Sequence, residues 1–155
     1  MRRLTGLLIA LAALGAAPAT AGAAPVDFTS GSASFECLEN CGGHVSWTAH
    51  GTPADAHGTV RFDAPGLFLG PRGSVDCVAV AGNRATVSGV LDEPGPGLEG
   101  PFYALSVEDN GSPGTEGDRI SVGTSRFPVD CALGNEFPPV FPVSRGNVVV
   151  RDMTP

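Results

Sequence analysis

Three histidines are the first side chains in this sequence that could bind a metal ion. His44 and His50 fall on one alternating segment, six residues apart. On an extended strand that spacing separates them by about 20 Å, too far to share an ion. His50 and His57 instead flank a short turn containing Asp55, so a hairpin would bring both rings and the carboxylate together. Such a set suits Zn²⁺ or Cu²⁺. The alternative is two solvated histidines at the polar end of a hairpin.

A second candidate metal site is the acidic segment over residues 108–118, because oxygen ligands on a loop suit Ca²⁺. Its spacing differs from that of the EF-hand loop. Asn-Gly and Pro-Gly pairs are also what an ordinary strand-connecting turn uses, so a plain turn is the alternative. No other cofactor is predicted. The side chains that would ligate Ca²⁺ are Asp109, Asn110, Glu116 and Asp118.

Nucleophilic catalysis has little support in the motifs. No serine lies in a G-x-S-x-G turn, and no cysteine stays free if all four form disulfides. Sixteen acidic residues make a glycosidase-type carboxylate pair possible without pointing to one. We therefore assign no catalytic residue, and an extracellular hydrolase with a Ser/His or carboxylate site is kept as the alternative to a binding domain.

The N-terminal segment has the layout of a secretory signal peptide. Two arginines precede an uncharged, Leu/Ala-rich stretch over residues 4–17, which is too short to span a bilayer comfortably. Small residues then supply A-x-A cleavage sites. We expect cleavage after Ala21 or Ala23, so that residues 1–23 are removed and residues 24–155 form a single secreted domain.

The charge balance excludes some classes of partner. The chain has a formal net charge of −7 and no lysine. Removal of two N-terminal arginines would leave seven against sixteen acidic residues, a net charge of −9. So acidic a surface repels nucleic acids and anionic membranes. We predict a non-enzymatic domain that binds an extracellular ligand or protein.

Four cysteines follow the expected cleavage site. In an exported chain an even number indicates two disulfides, with three possible connectivities. We favour Cys37–Cys41 and Cys77–Cys131. The chain-entropy model gives about 2 kcal/mol for the first, which closes a tight turn, and roughly 3–4.7 kcal/mol for the second, which closes a long loop.

Gly and Pro clusters separate short β-branched or alternating segments, and no segment has a clear helical period. This pattern predicts an all-β fold, a compact antiparallel sandwich or small barrel of about seven to nine strands. Residues 102–108, 119–122 and 147–151 are predicted strands. Residues 123–146 are assigned no element, and their Pro-rich part over 137–142 does not suit a central strand.

The best-defined predicted hairpin joins two alternating segments. One register places Trp47 opposite Val60 and Val45 opposite Phe62, which makes one face wholly apolar and the other polar. Trp47 is thereby predicted to be a core residue, not part of an exposed binding platform.

A second predicted hairpin turns at Gly82 and Asn83, residues that tolerate positive φ. A two-residue turn places Val78 opposite Val87. A three-residue turn instead places Cys77 on the buried face with Val87, and we favour it because it buries Cys77 for its disulfide.

Several motifs together resemble a family of small secreted actinobacterial proteins of uncharacterised function. They are V-x-C-x-x-V-x-G-N-x-A over residues 75–85, V-x-D-N-G over 107–111, Cys131, and G-N-V-V-V-x-D over 146–152. The resemblance covers the C-terminal half to two-thirds of the chain. It implies an exported β domain in which Cys77 pairs with Cys131, treats the other two cysteines as additions, and supplies no catalytic residue.

Overall fold

The computed structural model describes residues 26–36, 42–63, 70–95, 98–111 and 115–153. These residues form eight β-strands and one short 3-10 helix, which confirms the predicted all-β fold. No helix among them has the length and hydropathy needed to cross a membrane. The strands are β1 (Asp27–Glu36), β2 (Gly42–Thr52), β3 (Asp55–Asp63), β4 (Arg72–Ala81), β5 (Arg84–Leu91), β6 (Phe102–Glu108), β7 (Arg119–Ser125) and β8 (Phe141–Arg151), with the 3-10 helix Cys131–Glu136 before β8.

The strands close into one antiparallel barrel. Each strand pairs with the next along the chain, and β8 returns to pair with β1. Of the two predicted architectures, the structure is therefore the barrel. The β1–β8 ladder runs from Phe28 opposite Arg151 to Phe35 opposite Val143. The predicted signal peptide lies outside the described residues.

The β2–β3 hairpin has the predicted register. Trp47 lies opposite Val60, and Val45 lies opposite Phe62. All four side chains are buried inside the barrel. The Trp47 ring also lies over Gly31 of β1, where an added Cβ would sit 2.3 Å from Cη2 of the indole. Because glycine has no side chain, this position has room for the indole ring of Trp47.

The favoured register of the β4–β5 hairpin is wrong. Gly82 and Asn83 form a two-residue turn, and Val78 lies opposite Val87 on the inside of the barrel. Gly82 has a φ of 61°, the left-handed conformation that glycine adopts without strain. The tight turn therefore decides the pairing, and Cys77 faces the outside of the barrel.

A β-bulge in β4 explains why strict alternation from Val75 predicts the wrong register. The β4–β5 register shifts between Val75 and Cys77, so one extra residue stands in β4. Because of this residue, Val75 and Val78 are both buried in the core although they are three positions apart. The alternation of apolar and polar residues in the sequence therefore does not reveal which β4 side chains face the core after the bulge.

Tyr103 fills the middle of the barrel, as the predicted strand over residues 102–108 required. It is fully buried, and its ring meets that of Phe62 edge-on at 5.5 Å. Its hydroxyl donates to the carbonyl of Ser74 at 2.9 Å. Burial, with a smaller contribution from the charge of Asp76, raises the pKa of Tyr103 far above its ordinary 10.0. The phenol is a structural hydrogen-bond donor.

Residues 126–140, here called the strap, cross the outer face of β5, β6 and β7. The Ser88 hydroxyl donates to the carbonyl of Val129 at 2.7 Å, and the Ser121 hydroxyl to that of Pro138 at 2.9 Å. Both serines are buried although they face away from the core. The strap thus forms a second layer on one side of the barrel.

A disulfide fastens the strap to β4. Cys77 is bonded to Cys131, 54 residues further along the chain, which confirms this predicted pair. The second predicted pair, Cys37–Cys41, lies outside the described residues.

The seam between β7 and β8 is the weakest closure of the barrel. Only Arg119 with Pro142 and Ile120 with Phe141 pair there among the described residues. Pro142 has no N–H to donate. Over most of its length β8 therefore pairs with no strand other than β1, and the N–H groups on its other edge need acceptors outside the strands.

Candidate ligand-binding groove

The structure brings the predicted histidine site together in part. His50 lies opposite His57, with ring centroids 5.8 Å apart. Oδ1 of Asp55 is 3.2 Å from Nε2 of His57, and these two side chains are 82% and 68% exposed. Within the described ranges, no three His, Cys, Asp or Glu side chains are grouped so as to hold a metal ion. The three residues are neighbours at an open hairpin end.

The predicted calcium loop connects β6 to β7, and its carboxylates bind backbone groups. Oδ1 of Asp118 accepts a hydrogen bond from the N–H of Asn110 at 2.9 Å. Oδ2 of Asp109 accepts one from the N–H of Val150 in β8 at 3.2 Å. Glu116 is exposed. The four predicted ligands share one loop, in which Asp109 accepts a hydrogen bond from β8 and Asp118 accepts one from within the loop.

Asp118 is fully buried at the end of the barrel. Burial is the main cause that raises the pKa of its carboxyl above the ordinary 3.8. The hydrogen bond from the N–H of Asn110 lowers this pKa, and the negative charge of Asp109 raises it further. The N–H of Val148 also lowers this pKa. Oδ2 of Asp118 has no hydrogen-bond partner among the described residues.

The weak seam gives these carboxylates their structural role. Val148 and Val150 are two residues apart, so their N–H groups point to the same edge of β8. No strand pairs with that edge at these positions in the described structure. Asp109 and Asp118 approach it from the β6–β7 loop in place of a strand. Asp109 of the acidic loop thus contributes to closure of the barrel, and the calcium site stays a prediction.

A groove of about 620 Å³ crosses the outer face of β2, β3 and β4. Its walls are hydroxyl and charged side chains, all of which project from strands except Asp92, which directly follows β5. Because strands hold them, their relative positions are set by strand register and not by loop conformation. The hydroxyl groups belong to Ser46, Thr48, Thr59 and Ser74, and the charged groups to Arg61, Arg72 and Asp92.

The charged side chains form a row across the sheet. Ser46 lies opposite Arg61, and Arg61 lies opposite Arg72. Asp92 continues the row, since its N–H donates to the carbonyl of Arg72 at 2.8 Å. Two arginines therefore stand directly opposite each other on neighbouring strands, an arrangement that costs stability unless their charges are compensated.

The hydroxyl groups form a second row beside the first. Thr48 lies opposite Thr59, and Thr59 lies opposite Ser74. The two rows are two residues apart along each strand, a separation of roughly 7 Å. The groove thus presents a line of charges and a parallel line of hydroxyls.

The floor of the groove is backbone over a packed interior. Trp47 contributes to the lining, but its side chain is only 3% exposed and its ring faces the core. Its indole N–H donates to Oγ1 of the buried Thr29 at 3.1 Å. The predicted core role of Trp47 is confirmed, and the groove offers no aromatic surface for stacking from this side chain.

The two arginines differ in their partners. Nε of Arg61 lies 3.1 Å from Oδ2 of Asp63, and both side chains are about half exposed. Arg72 is exposed, and its guanidinium has no ion pair or hydrogen bond within the described ranges. One cation of the row is therefore already paired at the surface, and the other is available.

A histidine with two serine partners lies beside the groove. Nε2 of His44 is 3.0 Å from Oγ of Ser32, and Nδ1 is 3.0 Å from Oγ of Ser34. Asp63 lies opposite His44 on β3, but its carboxylate binds Arg61. The cluster is thus a Ser/His pair whose second ring nitrogen also meets a hydroxyl.

Sequence reasoning missed this cluster because it missed β1. The interior positions of β1 are Thr29, Gly31 and Ala33, which are small because Trp47 fills the space above them. Without large apolar residues the strand shows no hydrophobic alternation. The signal that could have revealed it is the serine at every second position over residues 30–34.

Two smaller cavities lie between the strap and the barrel, with volumes of about 370 and 280 Å³. Their described linings are mainly apolar and include Phe137 and Pro139 of the strap. The strap forms part of the wall of both cavities and is held to β4 by the disulfide.

Comparison with protein-family models, with curated proteins and with solved structures finds no match to this chain. The resemblance of its motifs to small secreted actinobacterial proteins therefore stays a prediction.

Proposed function

We propose that this chain is an exported, non-enzymatic binding domain and that the groove across β2, β3 and β4 binds its ligand. The observation that carries the proposal is the groove itself. Its volume of about 620 Å³ lies within the range of small-ligand sites, roughly 300–1,000 Å³. Its polar walls suit a hydrophilic ligand.

Rigidity supports binding as the role of this surface. Apart from Asp92, which directly follows β5, the wall side chains stand on three consecutive strands of a closed barrel. The floor is fixed by the Trp47–Thr29 hydrogen bond. A pre-organised surface loses little conformational entropy when a ligand binds. Export is supported by the N-terminal sequence and by the Cys77–Cys131 disulfide, which persists in oxidising compartments.

A groove-filling variant tests the proposal. Thr59→Trp places an indole in the middle of the hydroxyl row, and Ser144→Trp on the exposed face of β8 is the matched control. The oxidised domain is titrated with soluble polysaccharides, both neutral and acidic, by isothermal calorimetry. We expect Thr59→Trp to weaken binding at least about tenfold and the control to leave it unchanged. Equal binding by both variants, or no binding by the wild-type domain, would overturn the proposal.

The Ser32–His44 pair supports a hydrolase as the second candidate. A hydroxyl within hydrogen-bond distance of an imidazole is the first requirement of an activated serine. The test is labelling with a fluorophosphonate, which reacts with activated serine hydroxyls. A hydrolase predicts labelling that Ser32→Ala abolishes and Ser34→Ala does not. If wild type is unlabelled, the candidate is rejected.

A further inference from the structure

We propose that the ligand of this groove is a hydroxylated polymer bearing spaced carboxylate or phosphate groups, and that Arg61 and Arg72 bind its anionic group. This inference rests on the proposed function of the groove. It names the chemical class of the ligand.

The first step is the placement of the two arginines. The chain has nine basic residues against sixteen acidic ones, yet two of the nine stand directly opposite each other on β3 and β4. Like charges in this position are destabilising. An anion between the two guanidinium groups removes the repulsion and receives hydrogen bonds from both.

The second step is the availability of both cations. Arg72 is exposed without a partner among the described side chains. The Arg61–Asp63 pair is half exposed at 3.1 Å. Such surface pairs contribute little to stability, so a ligand can take over the guanidinium at small cost.

The third step concerns the rest of the ligand. The hydroxyl row of Thr48, Thr59 and Ser74 lies roughly 7 Å from the charged row, about one sugar or polyol unit away. Asp92 at the end of the charged row accepts hydrogen bonds and repels a second close anion. The groove therefore fits hydroxyl groups beside one anionic group.

The overall negative charge limits which anionic polymers can bind. At physiological salt a surface charge is screened beyond about 8 Å, so the arginine row acts locally while distant acidic residues do not cancel it. A polymer with dense charge also meets Asp92 and the other acids of the barrel. Nucleic acids stay excluded, and a polymer with spaced charges is favoured.

The test compares three polymers by calorimetry. Hyaluronan carries spaced carboxylates, poly(glycerol phosphate) carries phosphates, and dextran is neutral. We expect binding to one or both acidic polymers, weakened by added salt, and much weaker binding to dextran. Which acidic polymer binds more tightly identifies the anion.

Three variants decide whether the arginines are responsible. Arg61→Gln and Arg72→Gln are each expected to weaken binding by about tenfold, the loss of one charge-assisted hydrogen bond. Arg145→Gln, an exposed position on β8, removes the same charge elsewhere and should change affinity by less than about twofold. Equal affinity of wild type and the variant carrying both Arg61→Gln and Arg72→Gln would overturn the inference.

The outcomes separate this inference from the proposed function. If dextran binds as tightly as the acidic polymers and only Thr59→Trp weakens it, the groove is a binding site but the anionic ligand class is wrong. If none of the polymers binds, both proposals fail. A ligand-free check is thermal unfolding at low salt, where Arg72→Gln should be at least as stable as wild type because it removes the like-charge contact. A lower Tm for Arg72→Gln would contradict the unfavourable arginine pairing.

Discussion

Removal of the Cys77–Cys131 disulfide should destabilise this domain more than removal of the proposed Cys37–Cys41 disulfide. The bond links residues 54 positions apart and holds the strap against β4. In the chain-entropy model, a loop of that length contributes about 4 kcal/mol through the unfolded state. The proposed Cys37–Cys41 bond would close a much smaller loop and contribute about 2 kcal/mol.

The expected result is a fall in the free energy of unfolding of about 4 kcal/mol for the Cys77→Ala/Cys131→Ala double variant. For a domain of this size such a loss lowers the Tm by roughly 10–20 °C. The double substitution avoids a lone reactive thiol. We expect the hydrogen bonds from Ser88 to Val129 and from Ser121 to Pro138 to keep the strap in place without the disulfide, so that the barrel still folds.

The assay is urea unfolding of the oxidised protein, followed by tryptophan fluorescence, since Trp47 is the single indole and lies in the core. The Cys37→Ala/Cys41→Ala variant is the matched control and should lose less. A lower m-value in the first variant would mean that the strap has left the native barrel. Equal midpoints for the two double variants would refute the reasoning from loop length.

Three further predictions concern the core and the seam. Gly31→Ala should lower the free energy of unfolding in urea by about 1–3 kcal/mol, because the added Cβ would overlap Cη2 of Trp47. Wild-type stability would show that the ring moves away easily. Thr29→Val should cost about 1–3 kcal/mol by leaving the buried indole N–H of Trp47 unpaired, and Thr29→Ser, which keeps the acceptor, should restore most of it. Burial raises the pKa of Asp118 in the folded state above 3.8. The free-energy cost of burying its charged carboxylate therefore applies fully above the folded-state pKa, and the protein gains stability as the pH falls from that pKa towards 3.8. Asp118→Asn should therefore abolish this increment of stability in unfolding curves at neutral and mildly acidic pH, and an unchanged pH dependence would contradict the assignment.

The sequence predicted those elements whose pattern is local. The β2–β3 register followed from matching two apolar faces, and it correctly placed Trp47 opposite Val60. The β4–β5 register depended on a bulge at Asp76, and a bulge changes the parity of a strand without leaving a pattern in its neighbours. The missed strand β1 has small interior residues, because a partner strand supplies the bulk.

The candidate groove could be predicted only in part. The β2–β3 pairing already implies that Ser46 and Arg61 are neighbours. The arrangement of Arg61 and Arg72 depends on the β3–β4 ladder, which has three residue pairs and is joined by a long connection. Pairings of this kind are set by closure of the whole barrel, so no short window of sequence contains them.

The β1–β8 ladder has a consequence for how the chain folds. The pairing of Phe28 with Arg151 joins residues near the two ends of the described chain, so it closes one of the longest loops in the structure. The entropy of that closure must be offset before the barrel exists, which predicts slow folding dominated by long-range contacts. Until β8 arrives, β1 presents a free edge, and the β1–β2 and β2–β3 hairpins can exist only as an open sheet. A separately expressed β8 segment should therefore bind to a chain truncated before β8, by pairing with the free edge of β1 and closing the barrel.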